Sequence, residues 1–316
     1  MPKHGIRLDL EFAALTISAA AISFFMTGQV ISNVLFTGLM ATLFFLIGIH
    51  IDFNQVKKCT QYKKEILTGG VMIYLLAPVL ALLTAYLVKG SLANAFIAIG
   101  VSAAAIGSPV VFSNIGKGEG NLALIIGSLS LFSGFLLIPL ILLGFSVQFP
   151  IIGFAIDNLL FLGAPLAIGM IAQRYENALF EDFKHHFSKL ALWLLVLVMA
   201  VQLQMVYQAQ GISFLSGLGV AVVLMSLFVL VSYGISYTVS KKLGIMERNA
   251  RTIGYVTGSK GIAIALFIAA QFGGKAVAYV SVYYFVRQAV IGSIAEYYRH
   301  GRIRVAERLE FSFFNR

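Results

Sequence analysis

The 316-residue chain is 59% hydrophobic and 11% charged, with a mean hydropathy of +0.90. A soluble domain carries about 25% charged residues, so this composition excludes one and describes a polytopic membrane protein with short loops. The net charge of +10 would suit nucleic acid, but its distribution argues for topology instead. The single cysteine, Cys59, excludes an intrachain disulfide or a cysteine-based metal cluster.

Residues 1–10 carry charges of both signs and lead into the first apolar segment without a small-residue cleavage site, so no removable signal peptide is expected. Ten apolar segments are long enough to span a membrane, at about 11–27, 29–50, 66–88, 92–115, 121–146, 150–172, 188–208, 213–239, 251–272 and 275–298. His50 and Asp52 close the second at the interface. Loops on one side carry Lys57, Lys58, Lys63, Lys64, Lys117, Arg174, Lys184, Lys241, Lys242, Arg248 and Arg251, and loops on the other only Lys89 and Lys275. The positive-inside rule then puts both termini in the cytoplasm of a multi-pass protein of the inner or plasma membrane.

The fold expected is all-α, with ten helices as two inverted five-helix repeats. Residues 1–172 hold the first repeat (spans 1–5, 11–146) and span 6, 173–187 a cytoplasmic linker, 188–298 spans 7–10, and 299–316 a basic tail on the anionic inner leaflet. The adjacent His185 and His186 of the linker do not share a helix face and make a poor metal site.

Five spans per half predict that the fourth of each half, spans 4 and 9, are broken and crossed. In span 4 the break is expected at Gly107-Ser108-Pro109, because proline removes a backbone donor and clashes with the preceding turn. In span 9 it is expected at Gly258-Ser259-Lys260-Gly261, where glycines bracket a lysine nine residues from Arg251. Nine residues are roughly 13 Å of helix, close to the membrane midplane. A lysine there costs at least ~2.5–3.5 kcal/mol without a partner, a water-filled cavity or a neutral form. Non-helical backbone at that depth is tolerated only where protein buries it or it lines a cavity.

Lys260 is therefore a candidate binding or coupling charge. Arg287 lies twelve residues from both Lys275 and Arg299 and needs an acceptor: a carboxylate, carbonyls at a helix break, or an anionic ligand. Of thirteen acids, only Asp157 lies within a span away from the cytoplasmic edge, so two midplane cations leave room for an anion. Ser113, Asn114, Thr257 and Ser259 are further candidates for binding or coupling, and Ser128, Ser130, Ser133, Gln202 and Gln204 for ion or substrate ligands. No phosphate-binding glycine loop, metal-ligand spacing or nucleophile elbow occurs, so no enzyme, cofactor or metal is expected.

The stretches 44–53, 119–140 and 251–258 resemble the bile acid:sodium symporter family. The resemblance implies ten spans in an inverted repeat with broken, crossed fourth and ninth helices. It also exposes departures. Val256 stands where the family has a sodium-binding glutamate, Lys260 where it has a glutamine and Gly261 where it has an asparagine. A lysine ammonium could replace the sodium charge. Ser108-Pro109-Val110-Val111 and Ser259-Lys260-Gly261 also resemble cation/proton antiporters, but Phe132 and Ser133 stand where those place aspartates. The expected function is secondary transport of a small organic anion by alternating access without sodium, with proton or monovalent-cation coupling. The alternatives are a monovalent cation/proton antiporter and a non-transporting membrane sensor or assembly protein. No nucleic-acid partner is expected, and the lipid bilayer is the surroundings.

Overall fold

The computed structural model describes residues 33–51, 57–145, 150–175, 190, 193, 194, 197 and 215–313. Span 1, most of span 7, Asp52, the histidine pair, Gln202 and Gln204 lie outside the described residues. Helix α1 runs over Asn33–His50, α2 over Lys63–Val71, α3 over Ala77–Leu87, α4 over Ser91–Val101, α5 over Gly107–Ile115 and α6 over Gly120–Leu143. Helix α7 covers Ile151–Asn158, α8 Ala164–Tyr175, α9 Leu215–Lys242, α10 Glu247–Gly258, α11 Ile262–Phe272 and α12 Gly274–Phe313. Two π turns, Met72–Leu76 and Leu159–Gly163, join α2 to α3 and α7 to α8.

Among the described residues the chain is helical apart from turns and one isolated antiparallel bridge, Ala104 with Lys260. Five stretches among the described residues are long and apolar enough to cross a membrane: Cys59–Leu87, Gly120–Leu143, Ile151–Arg174, Gly217–Lys242 and Gly274–His300. Ser91–Val101 and Ile262–Phe272 are apolar but only 11 residues each. At 1.5 Å per residue each covers about 16 Å, half a hydrocarbon core.

These half-length helices are the halves of the two broken spans that lie away from the basic face. Helix α4 ends at Val101, and Ser102 turns to extended backbone with its hydroxyl on the Ile99 carbonyl at 2.8 Å. Helix α5 resumes at Gly107, so Gly107, Ser108 and Pro109 form its first turn and the unwound segment lies just upstream of them. The reason is that the first helical N–H groups have no intrahelical acceptor, so a proline there sacrifices no bond. In the other span Gly258 closes α10, and Gly261 in extended backbone precedes α11.

The broken span 9 occupies the centre of the bundle. Every residue from Asn249 to Gly258 and from Ile262 to Ala269 is buried. A helix buried all round has no lipid face and must be enclosed by neighbours. Helix α6 starts beside the start of α10, where the Glu119 N–H donates to the Thr252 hydroxyl at 2.7 Å. Midway along, the Ser130 hydroxyl accepts the Ala104 N–H at 3.1 Å, so α6 passes the break in span 4. Helix α6 therefore runs from the basic face, with Lys64, Arg248 and Arg251, to the opposite face. Helices α1 and α8 cross at two glycines: a Cβ at Gly48 would collide with the Leu166 carbonyl, and one at Gly169 with the Phe45 carbonyl. Small residues at such crossings let backbones touch without a hydrophobic driving force between them.

Candidate functional site

The two unwound segments, 102–106 and 259–261, meet as a short antiparallel pair. The Ala105 N–H donates to the Ser259 carbonyl at 2.8 Å and the Gly261 N–H to the Ala103 carbonyl at 2.7 Å. The pairing needs small residues: Ala103, Ala104 and Ala105 line one strand, and a Cβ at Gly261 would lie 3.1 Å from the Ala103 oxygen. In the membrane interior each unmade backbone bond costs several kcal/mol. The crossing therefore satisfies groups that neither broken helix could satisfy alone.

The remaining backbone groups at the span 9 break are held from α12. The Tyr283 hydroxyl donates to the Gly258 carbonyl at 3.1 Å and accepts the Lys260 N–H at 3.4 Å. One turn further, an Arg287 guanidinium nitrogen donates to the Lys260 carbonyl at 2.6 Å. Residues four apart share a helix face, so one stripe of α12 splints the whole break. The Arg287 guanidinium also lies 4.9 Å from the centre of the Tyr284 ring, a cation–π contact that strengthens when desolvated.

The Lys260 side chain is fully buried, and its ammonium donates to the Ile73 carbonyl at 2.9 Å. That acceptor exists because of local sequence. In the π turn Met72–Leu76 the Ala77 N–H reaches back five residues to the Met72 carbonyl. The Ile73 carbonyl would then need the N–H of residue 78, which is Pro78 and has none. An α-helical carbonyl is thus released toward the crossing, and the lysine takes it. Tyr74, inside the same π turn, donates to the Ser130 carbonyl and accepts from the Ser133 hydroxyl at 3.4 Å.

Among the described residues the ion pairs Arg248–Glu119, Arg251–Glu247, and Glu296 with Arg299 and His300 lie toward the basic face, away from the crossing. Neither Lys260 nor Arg287 has a carboxylate partner among the described residues; both are held by main-chain carbonyls. Each keeps spare donors, since an ammonium has three N–H groups and a guanidinium five. The Arg287 Nε makes no hydrogen bond. The hydroxyls of Ser259 and Ser128 are likewise buried without partners.

The other sequence-derived candidates divide between this crossing and elsewhere. Ser130 and Ser133 bond to carbonyls of their own helix, and Ser130 also supports the span 4 break. The Thr257 hydroxyl is turned back onto the Ile253 carbonyl at 2.9 Å. Ser113 and Asn114 lie at the end of α5, away from the crossing. Ser113 is buried with an unpaired hydroxyl, and Asn114 is exposed beside Gly120. That end of α5 is clamped by α10: Arg248 Nε donates to the Gly118 carbonyl at 3.0 Å and Arg251 to the Gly116 carbonyl at 3.4 Å.

Three participants were not singled out from the sequence: Tyr283, Tyr74 and Pro78. Tyr283 carried a signal, its four-residue spacing from Arg287. Pro78 is visible inside an apolar span, but which carbonyl it releases depends on the π register.

The family model described as Sodium Bile acid symporter family matches residues 37–212. The match includes the unwound segment of span 4 and both π turns, and it ends before Lys260 and Arg287. No curated protein matches the chain. With more than half of its length matched, this membrane-spanning chain belongs to the sodium bile acid symporter family.

Proposed function

We propose that the protein is a secondary transporter of an organic anion that works by alternating access without sodium. The observation that carries the reading is the pair of buried cations at the helix crossing, Lys260 and Arg287, held by neutral carbonyls with spare donors and with no carboxylate partner among the described residues. A cation site in a membrane normally draws on carboxylates, whereas positive charge at paired helix breaks suits an anion. The Lys260 ammonium on the Ile73 carbonyl supplies a positive charge where the family resemblance would put a sodium ligand. Broken spans 4 and 9 would move as a unit with α6 and α12 against a second group of helices that includes α1 and α8. Lys260, Arg287, Ser259 and Ser128 are the groups offered to the solute or coupling ion. Ser113, Asn114 and Thr257 belong to the supporting frame.

The test is uptake into proteoliposomes with imposed sodium or proton gradients, screened over bile acids, keto acids and other carboxylates. Replacing external sodium by choline is expected to leave the rate nearly unchanged; a tenfold drop would mean that sodium is bound after all. No carboxylate uptake under any gradient would favour a sensor or assembly role.

We further propose ten spans as two inverted repeats, with both termini cytoplasmic, from the charge asymmetry of the loops. Reporter fusions after residue 316 and in the loop at Lys89 are expected on opposite sides of the membrane. Finding both on one side would remove the ten-span topology.

A further inference from the structure

The two π turns are built alike. Met72–Leu76 is followed by Ala77-Pro78, and Leu159–Gly163 by Ala164-Pro165. In the second, the Ala164 N–H reaches back five residues to the Leu159 carbonyl, as Ala77 does to Met72. The Leu160 carbonyl is then left without a helical donor in either register, as Ile73 is. The first turn uses its released group to hold Lys260. π turns are uncommon and occur frequently at functional sites.

The residue immediately before the second turn is Asn158. It is 1% exposed, and neither its Oδ1 nor its Nδ2 makes a hydrogen bond. It lies on the buried stripe Phe154, Asn158, Leu162, Leu166. Phe154 packs against Phe267 of α11 with ring centres 5.8 Å apart. Helix α7 starts at the face where α6 ends, so it runs opposite to α11. Asn158, one turn after Phe154, is therefore on the helix-crossing side of that ring pair. A buried amide with no partner costs about 1–3 kcal/mol for each unmade group, and nothing within the described fold offsets it.

We propose that Asn158 is a solute-recognition residue whose carboxamide is completed by the transported molecule. Nδ2 donates to a carboxylate or hydroxyl oxygen, and Oδ1 accepts from a hydroxyl or amide N–H. The ligand class is an organic anion that carries a hydroxyl or amide besides its carboxylate, which rests on the organic-anion reading above. A cation is poorly served here, because the neighbouring Asp157 is exposed and the buried stripe from Phe154 to Leu166 carries no acid.

The experiment compares the full-length chain with Asn158→Leu, which keeps the branching of the side chain, and Asn158→Ala, which cannot overpack. The probes are matched carboxylates with and without a hydroxyl, from lactate and propionate to cholate and cholanate. The wild-type chain is expected to bind the hydroxylated member of at least one pair about tenfold more tightly, and both variants to lose that preference, the effect of one hydrogen bond to a charged or buried partner. Without ligand, Asn158→Leu is expected to melt about 2–4 °C higher, since it removes an unpaired amide. A preference retained in both variants overturns the assignment. No binding of any carboxylate by the wild-type chain counts against the organic-anion reading itself. The site is then judged on the ligand-free melts: a higher Tm for Asn158→Leu supports it, and a lower Tm in both variants marks Asn158 as structural and overturns it.

Discussion

Substituting Lys260→Gln is expected to lower proton-gradient-driven uptake of a transported carboxylate by at least tenfold, while membrane insertion and the overall fold persist. The lysine is fully buried, and among the described residues its hydrogen-bond acceptor is the Ile73 carbonyl. Glutamine is one bond shorter but keeps an N–H donor and most of the volume, so the fold of the crossing is expected to persist. What disappears is the charge, and with it the proton that the proposed coupling would carry in with the anion and release before the empty carrier returns. A solute anion then loses an electrostatic partner in a low-dielectric site, where 1.4 kcal/mol is already tenfold. Exchange of internal for external solute is expected to survive better, because it does not require the empty carrier to return. A companion variant, Pro78→Ala, approaches the same seat from the acceptor side. It restores an N–H at residue 78 and lets the Ile73 carbonyl be satisfied within its own helix. Its expected result is reduced uptake, with the stability gained by removing a proline from the helix offsetting part of the cost of a weakened Lys260 bond. Wild-type uptake in both variants would leave Lys260 as a packing residue and end the coupling role.

Substituting Arg287→Met is expected to be the most destabilising single change at the crossing. Arg287 is 2% exposed and donates to the Lys260 carbonyl at 2.6 Å. Methionine fills part of the volume but strands that carbonyl in the bundle centre. An unsatisfied buried acceptor costs about 1–3 kcal/mol, with a further contribution from the lost cation–π contact on Tyr284. The expected fall in Tm is about 5–10 °C, with uptake lost in whatever protein remains folded. Arg287→Lys is expected to rescue poorly, because an ammonium cannot reproduce the planar fork that reaches the carbonyl while lying over the ring. Tyr283→Phe gives a graded comparison: it removes the hydroxyl that bridges the Gly258 carbonyl and the Lys260 N–H. Unchanged melting and uptake in Arg287→Met would show that the splint of α12 is dispensable.

Much of the candidate site was legible because charge is so conspicuous in hydrocarbon. A lysine and an arginine each far from the nearest loop charge need partners, and the shortage of acids limits those partners to carbonyls or a bound anion. Of the three acceptors left open for Arg287, the bond to the Lys260 carbonyl is of the second kind, a carbonyl at a helix break. Other candidates were named for their chemistry alone. Serine and threonine hydroxyls can turn onto their own helix, as Thr257 and Ser133 do, and sequence does not distinguish that from facing a ligand. The proline of span 4 located the broken helix but not the unwound residues, because a proline settles into the first turn after a break.

Composition and loop charge by themselves determined that the chain is a helical membrane protein, since an apolar run of sufficient length has few other stable fates. Local residue chemistry also determined that two spans contain breaks, because glycine and proline act through the backbone they occupy. Only the tertiary structure decided what each break touches. The pairing of residues 103–105 with 259–261, the release of the Ile73 carbonyl by Pro78 and its capture by Lys260 join segments up to 187 residues apart. Such contacts depend on how helices cross and on a one-residue shift of helical register, and neither leaves a periodic trace in the chain.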